Sequence, residues 1–477
     1  MQQQRNLTMM TDLYQLTMMY GYFRHNMGEN QAVFDLFYRR GREEISHTIA
    51  AGLEQAVEYV QNLHFDEEDL TYLRSLSMFD EAFLSYLRKL RFTGDIYAVP
   101  EGTVMFPGEP IVQVRAPLIQ AQLIETALLN IINHQTLIAT KASRVVQAAG
   151  GGSVLEFGLR RAQGPDAGIY GARAAVIGGC DATSNVMTAE MFDIPVRGTH
   201  AHSWVMSFPT ELEAFRAYAE VFPDNSLLLV DTYDTLKSGV PNAITVFREL
   251  RERGYEPAGI RLDSGDMAYL SRKSREMMDA AGFPDAKICA SSDLDEEVIW
   301  DLKAQGAQVD IWGVGTKLIT SMSVPALGGV YKLVAEEVDG TMEPRIKISE
   351  NSAKITNPGV KQLLRVYDNR TGNAIADLIA LEEETYDEAE PLTLFDPENT
   401  WKQMTVTDYR LRSMLVPIFK QGKLVYDLPP ISEIAAYARQ ELDTLWAEYK
   451  RLHKPQLYKV DLSRPLWEMK QALLNRR

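Results

Sequence analysis

The sequence predicts an α/β protein. Its centre, residues 149–330, reads as a (β/α) barrel-like domain, with an accessory α+β domain built from the two flanks, 1–148 and 331–477. Three observations predict it. Six short β-rich runs alternate with helical patterns, the rhythm of a parallel sheet. Glycines stand just past the helical runs, where a left-handed residue closes a helix. Nearly every strand run also ends in a residue able to do chemistry: Glu156, Thr199, Asp231, Arg261 with Asp263, Ser291, and the turn 313–316. Barrels draw their sites from the carboxyl ends of many strands, whereas an open doubly wound sheet gathers them at one switch point. The spread favours the barrel.

Taken in order, the N-terminal flank has helical runs from Met9 to Phe23 and from Leu118 to Gln147. Between them EGTVMFPGEPIVQVRAP alternates with period two among turn dipeptides and reads as a small β element. The six central runs are SVLEF (153–157), PVRGT (195–199), SLLLVD (226–231), GIRLD (259–263), KICAS (287–291) and VDIWG (309–313). ELEAFRAYAEVF follows the second. PNAITVFREL runs into Gly254, MAYLSRKSREMMDAA into Gly282 and LDEEVIWDLKAQ into Gly306, with Ser264, Asp266 and Asp293 as candidate N-caps. Beyond residue 328 come strand-like GGVYKLV and NPGVKQLLRVYD, then a helical tail from Ile431, packing on the N-terminal flank.

Composition narrows the function. A chain of 477 residues exceeds what one core supports, so two or three units are expected. A net charge of −16 lacks the basic footprint that nucleic acid needs. Two cysteines are too few for a disulfide framework and suit a reducing cytoplasm. MQQQRNLTMMTDLYQ lacks the features of a secretory leader, and no apolar run nears the roughly 20 residues of a membrane span. The expectation is a cytoplasmic, enzyme-sized protein with no nucleic-acid or membrane partner.

Several stretches carry chemistry. WGVGTKL (312–318) leaves a strand through Gly313, Gly315 and Thr316, a turn whose backbone N–H groups an anion can approach. Ser291 in ASSDL, one strand earlier, adds a hydroxyl and a helix N-terminus to the same rim, so phosphate binding is expected there. In RLDSGD, Arg261 and Asp263 are two apart and share a face. An inward arginine needs an anion, either Asp263 itself or a carboxylate ligand that its fork can bind bidentately. Asp263 and Asp266 also suit ribose hydroxyls or Mg2+. In EFGLRRAQGPDAG, Arg160 and Arg161 could hold phosphates and Phe157 could wall a flat ring, though taken alone they fit surface and core roles better. LLLVDTYDTLKSG superficially resembles the acidic loop of type I phosphoribosyltransferases, but Asp231 and Asp234 are separated by two residues and the Thr-Gly pair is missing, so that reading fails. GTHAHSW holds two of the seven histidines, His200 and His202. Nothing nearby completes a zinc set, and the flanks are not a hydrolase elbow. These residues together describe a barrel enzyme handling a phosphorylated sugar and an anionic partner.

The chain as a whole resembles the nicotinate phosphoribosyltransferase family of type II phosphoribosyltransferases. The resemblance rests on TDLYQLTM, FDLFYRR, EFGLRRAQGPDAG, GTHAHSW, RLDSGD, VGT and NPGVK, seven blocks in the family's order over nearly the whole length. It implies coupling of nicotinate to 5-phosphoribosyl-1-pyrophosphate, giving nicotinate mononucleotide and pyrophosphate, with ATP as co-substrate and Mg2+ as cofactor. It implies that Tyr14 contacts the base from a neighbouring subunit of a homodimer with shared active sites, with Phe157 on the other side of the ring. Thr199 and Arg261 would bind nicotinate, Thr316 the phosphoribosyl donor, and Asp263 the ribose during catalysis. His202, on the fixed position of the motif, would be the phosphohistidine, and His200 falls on a variable one. The alternatives are nicotinamide phosphoribosyltransferase, which carries a similar RxDSGD block, and a non-catalytic phosphosugar-binding barrel serving regulation.

Overall fold

The computed structural model describes residues 6–41, 45–351 and 354–476. The first five residues, part of the stretch on which the absence of a leader was read, lie outside the described residues. Among the described residues no helix is long and apolar enough to cross a membrane.

The chain divides into two compact units, Ile138–Pro325 and a second made of Met1–Leu137 with Ala326–Arg477. The division falls inside the helix Glu125–Ala149. The central unit holds six parallel strands: β1 (Ser153–Glu156), β2 (Ala182–Thr183), β3 (Leu227–Leu229), β4 (Gly259–Leu262), β5 (Lys287–Ser291) and β6 (Ile311–Val314). Their order in the sheet is β2-β1-β6-β5-β4-β3, so sequence neighbours pair except β2 with β3, which stand at the two ends, and β6 returns to β1. The interiors of these strands are apolar and buried (Val154, Leu228, Ile260, Ile288 and Trp312 among them), as parallel strands covered by helices require.

Two details differ from expectation. PVRGT does not form a strand: it is reduced to one bridge, Val196 to Thr183, and the strand that pairs with β1 is the two-residue β2. A polar stretch with Gly198 and Thr199 is too short to sustain a ladder once His200 turns inward. Of the three expected caps only Asp266 serves, accepting from Tyr269 N; Ser264 instead bonds Asp231, and Asp295 replaces Asp293 as cap of the helix Glu296–Ala304. Gly254, Gly282 and Gly306 do close their helices, with φ of 87°, 86° and 79°.

In the other unit a seven-stranded sheet, antiparallel in its pairings, places Gln31–Tyr38 between Val112–Pro117 and Gly329–Val338. A four-stranded sheet carries Lys361–Asp368 and Ala374–Leu381. The expected helical tail is interrupted: helices Ile431–Asp443 and Arg464–Asn475 flank a strand, Val460–Leu462, parallel to Ala374–Leu381. The alternating VDL run finds an open sheet edge there, and pairing outweighs helix propensity.

Candidate active site

The carboxyl ends of the central strands gather the site. Arg261, on β4, is mostly buried and uses its guanidinium three ways: Nε to Ser291 Oγ at 2.8 Å, Nη1 to Thr199 Oγ1 at 2.9 Å and Nη2 to Asp263 Oδ1 at 2.7 Å. The internal ion pair and the anion-receptor readings of this arginine are therefore compatible. A guanidinium has five N–H donors, so one remains on each terminal nitrogen, in the planar fork that matches a carboxylate. Ser291 is fixed beside it because β5 and β6 run in register, Ser291 opposite Gly313, and its hydroxyl also donates to Asp263 Oδ1. Phe157 stands half-buried after β1, its ring centroid 6.0 Å from the guanidinium carbon. Gly313 is required beneath it, since a Cβ there would come within 2.7 Å of the Phe157 ring.

The two histidines lie in different surroundings. His202 begins the short helix His202–Met206 and is 40% exposed; its Nδ1 lies 3.0 Å from Thr232 Oγ1 and its Nε2 3.7 Å from Asp263 Oδ2. Burial pushes the Asp263 carboxyl up, but the Ser291 hydroxyl, the Arg261 charge and His202 outweigh it and hold the group below its ordinary value. His200 is buried against Phe215 and Tyr218, and its Nε2 accepts the Leu229 N–H at 3.2 Å. Burial, assisted by the charges of Arg261 and His202, lowers its pKa to about 4, so it stays neutral.

Asp231, after β3, accepts from Asp263 N at 2.9 Å and Ser264 Oγ at 2.6 Å through Oδ2; its Oδ1 is buried with no hydrogen-bond partner among the described residues. Such an oxygen fits a hard cation or its water. Asp266 is occupied as a helix cap. Glu156, another strand-end acid, is fully buried and structural, bonded to Thr183 Oγ1 at 2.6 Å and to Gly158 N, which braces the turn carrying Phe157. After β6, Gly315 caps the one-turn helix Thr316–Ile319. Arg160 is exposed on the turn Leu159–Arg161, outside the Arg261 cluster. Tyr14 lies in the other unit, 48% exposed on the helix Leu13–Arg24.

Three contributors escaped sequence reading. Thr232 was legible in principle as a strand-end hydroxyl. Lys317, which pairs with Asp295 Oδ2 at 2.8 Å, had no signal beyond its place in the turn. Ser292 adopts φ of 122°, a conformation that L-residues rarely adopt, directly after Ser291.

Comparison with known proteins identifies this constellation. Models of the nicotinate phosphoribosyltransferase N-terminal domain, family region and C-terminal domain match residues 9–133, 153–371 and 360–470. The chain is 51% identical over 465 residues to nicotinate phosphoribosyltransferase of Bacillus subtilis, covering 98% of this chain and 94% of that one, and 35% identical to the human enzyme, covering 98% and 96%. The crystal structure of human nicotinic acid phosphoribosyltransferase superposes with a TM-score of 0.86 at 33% identity, covering 97% of this chain and 99% of that one. A nicotinate-nucleotide pyrophosphorylase from Pyrococcus furiosus, at 22% identity and a TM-score of 0.71 over 92% of this chain and 96% of that one, shares the fold. With family models matching most of the chain and 51% identity to a relative over nearly its whole length, the chain belongs to the nicotinate phosphoribosyltransferase family.

Proposed function

We propose that the chain joins nicotinate to 5-phosphoribosyl-1-pyrophosphate, forming nicotinate mononucleotide and pyrophosphate for NAD biosynthesis and salvage, with ATP hydrolysed alongside. One observation carries the base assignment: Arg261 is held rigid by Ser291, Thr199 and Asp263, yet keeps one N–H on each terminal nitrogen. The nicotinate carboxylate would take that pair, with Thr199 beside it and Phe157 against the ring. A charge-assisted bond contributes about 1.5–3 kcal/mol. Nicotinate would therefore be preferred over neutral nicotinamide by about ten- to a hundredfold.

In the reaction the pyridine nitrogen lone pair forms the bond to the anomeric carbon as the carbon–oxygen bond to pyrophosphate breaks, the electron pair leaving with pyrophosphate. Asp263 would steady the ribose as positive charge develops. Ser291 and the 313–316 turn would hold the phosphoribosyl phosphate, with Arg160 at the margin. Mg2+, held by substrate phosphates and Asp231, would supply charge neutralisation for the leaving group. ATP would transfer its γ-phosphoryl to His202, ADP departing, and water would later release phosphate; the added charge next to Asp263 couples the step to the base site. The cyclic strand order, with Val196 on Thr183 and the His200 ring on Leu229 spanning the interval between β2 and β3, supports a closed barrel. Tyr14 would reach the base of a second copy in a homodimer.

Steady-state turnover with the two bases tests the reading. The expected result is a strong preference for nicotinate that Arg261→Gln erases, chiefly through KM for the base. A preference for nicotinamide would sink it and leave the nicotinamide enzyme as the function.

A further inference from the structure

The turns after β5 and β6 are tied to each other by an ion pair between their side chains. After Ser291 the chain passes through Ser292 at φ of 122°, a backbone state that persists only where its surroundings over-determine it. Three restraints follow within four residues. Asp295 Oδ1 caps the next helix through Val298 N at 2.9 Å, and Asp295 Oδ2 binds Lys317 Nζ at 2.8 Å. Glu296 is held by Lys141 at 2.5 Å and by Arg144 at 3.0 Å, in a setting where Lys141 and Glu296 are almost wholly buried. Lys317 directly follows Thr316, so its bond to Asp295 joins the β6 turn to the β5 turn. The Asp295 and Lys317 side chains are only 14% and 25% exposed, which places the pair beyond the weak regime of surface ion pairs.

We propose that Lys317 and Asp295 are positioning residues for the phosphoribosyl donor: their ion pair clasps the β5 and β6 turns so that Ser291 and the 313–316 backbone present one preformed phosphate cradle. The inference rests on the phosphate role proposed for those turns. Rigid spacing matters because a displacement of roughly 1 Å at a binding group can cost about a hundredfold in rate.

The clasp predicts a specific kinetic pattern. Lys317→Met raises KM for 5-phosphoribosyl-1-pyrophosphate by about five- to tenfold, with KM for nicotinate unchanged and kcat within about twofold, an effect of the size a partly buried pair supports. Asp295→Asn does the same, since asparagine keeps the helix cap but loses the charge. The double variant is no worse than either single one, and Lys317→Arg restores the wild-type value. If Lys317 instead touched phosphate directly, Asp295→Asn would release it and lower the donor KM, overturning the clasp. A parallel rise in both KM values would also overturn it, as would an unchanged donor KM in Lys317→Met or Asp295→Asn. Thr316→Ala separates the two levels: no change in donor KM there removes the phosphate reading itself, whereas a rise there without one in the clasp variants removes only the clasp. Should Lys317→Met not fold, Asp295→Asn carries the test alone.

Discussion

At the scale of single residues, the phosphoryl-accepting role proposed for His202 depends on how few atoms hold its ring. Its ring has one hydrogen-bonding neighbour at Nδ1, the Thr232 hydroxyl, and one carboxylate 3.7 Å from Nε2, too far for a direct bond. With 40% of the side chain exposed, no other hydrogen bond fixes the plane of the ring among the described residues. Thr232→Val keeps the shape of the side chain and removes the hydroxyl. It is expected to slow acid-labile labelling of the protein by ATP by about fivefold, consistent with the loss of about 1 kcal/mol of hydrogen bonding. Thr232→Ser should recover most of the labelling, and His202→Ala should abolish it. Labelling that persists in His202→Ala would take the phosphoryl group away from this residue, whereas full-rate labelling in Thr232→Val would remove only the positioning role.

At the scale of elements, His200 replaces a backbone partner. Its Nε2 accepts the Leu229 N–H at the edge of β3, a role open only to the neutral ring. Its folded pKa, about 4, lies below the unfolded value near 6.5. Above pH 6.5 both states are neutral and the group adds no pH dependence. As pH falls from 6.5 to 4 the unfolded chain takes a proton that the folded one refuses, so stability drops by about 3 kcal/mol, then levels off. Urea midpoints across that window should fall in wild type, and His200→Gln should flatten the slope; an unchanged slope would show that the ring is already protonated in the fold. The same region marks the limit of what the sequence made legible. Five of the six parallel strands and their helix-closing glycines could be read because each is a local pattern of adequate length. The strand Ala182–Thr183 could not, being two residues long and defined by its pairing with β1 and one bridge to Val196. Arg261 and Asp263 were legible as a pair two residues apart. The bonds from Arg261 to Thr199 and Ser291 join residues 62 and 30 positions distant, and only folding brings them together.

At the scale of the whole molecule, buried charge is nearly always matched. The chain carries a net charge of −16, yet its interior ion pairs are balanced locally: Lys361 with Asp35 at 2.9 Å, Lys141 with Glu296, and Arg365 with both Asp377 and Glu441 at 2.6 and 2.9 Å. Removing one member of such a set strands the other in a low dielectric, which is why these sites tolerate little. Arg39, which follows the strand Gln31–Tyr38, is one exception. Its Nε and Nη2 are buried without a hydrogen-bond partner among the described residues. The pKa of Lys332 nearby is lowered by burial, and the positive charges of Lys347 and Arg39 push it further down while Glu125 opposes them. An unmatched guanidinium among like charges costs free energy, about 1–3 kcal/mol for each unsatisfied buried group. Methionine has a similar length and no donor to leave unpaired. Arg39→Met should therefore stabilise the fold by about 1–3 kcal/mol, read as a higher urea midpoint with an unchanged slope. It should also raise the Lys332 pKa, which amine-directed labelling against pH can follow. A lower midpoint would mean that the guanidinium is satisfied in solution by a group outside the described residues, and the account of Arg39 as a stability cost would fall.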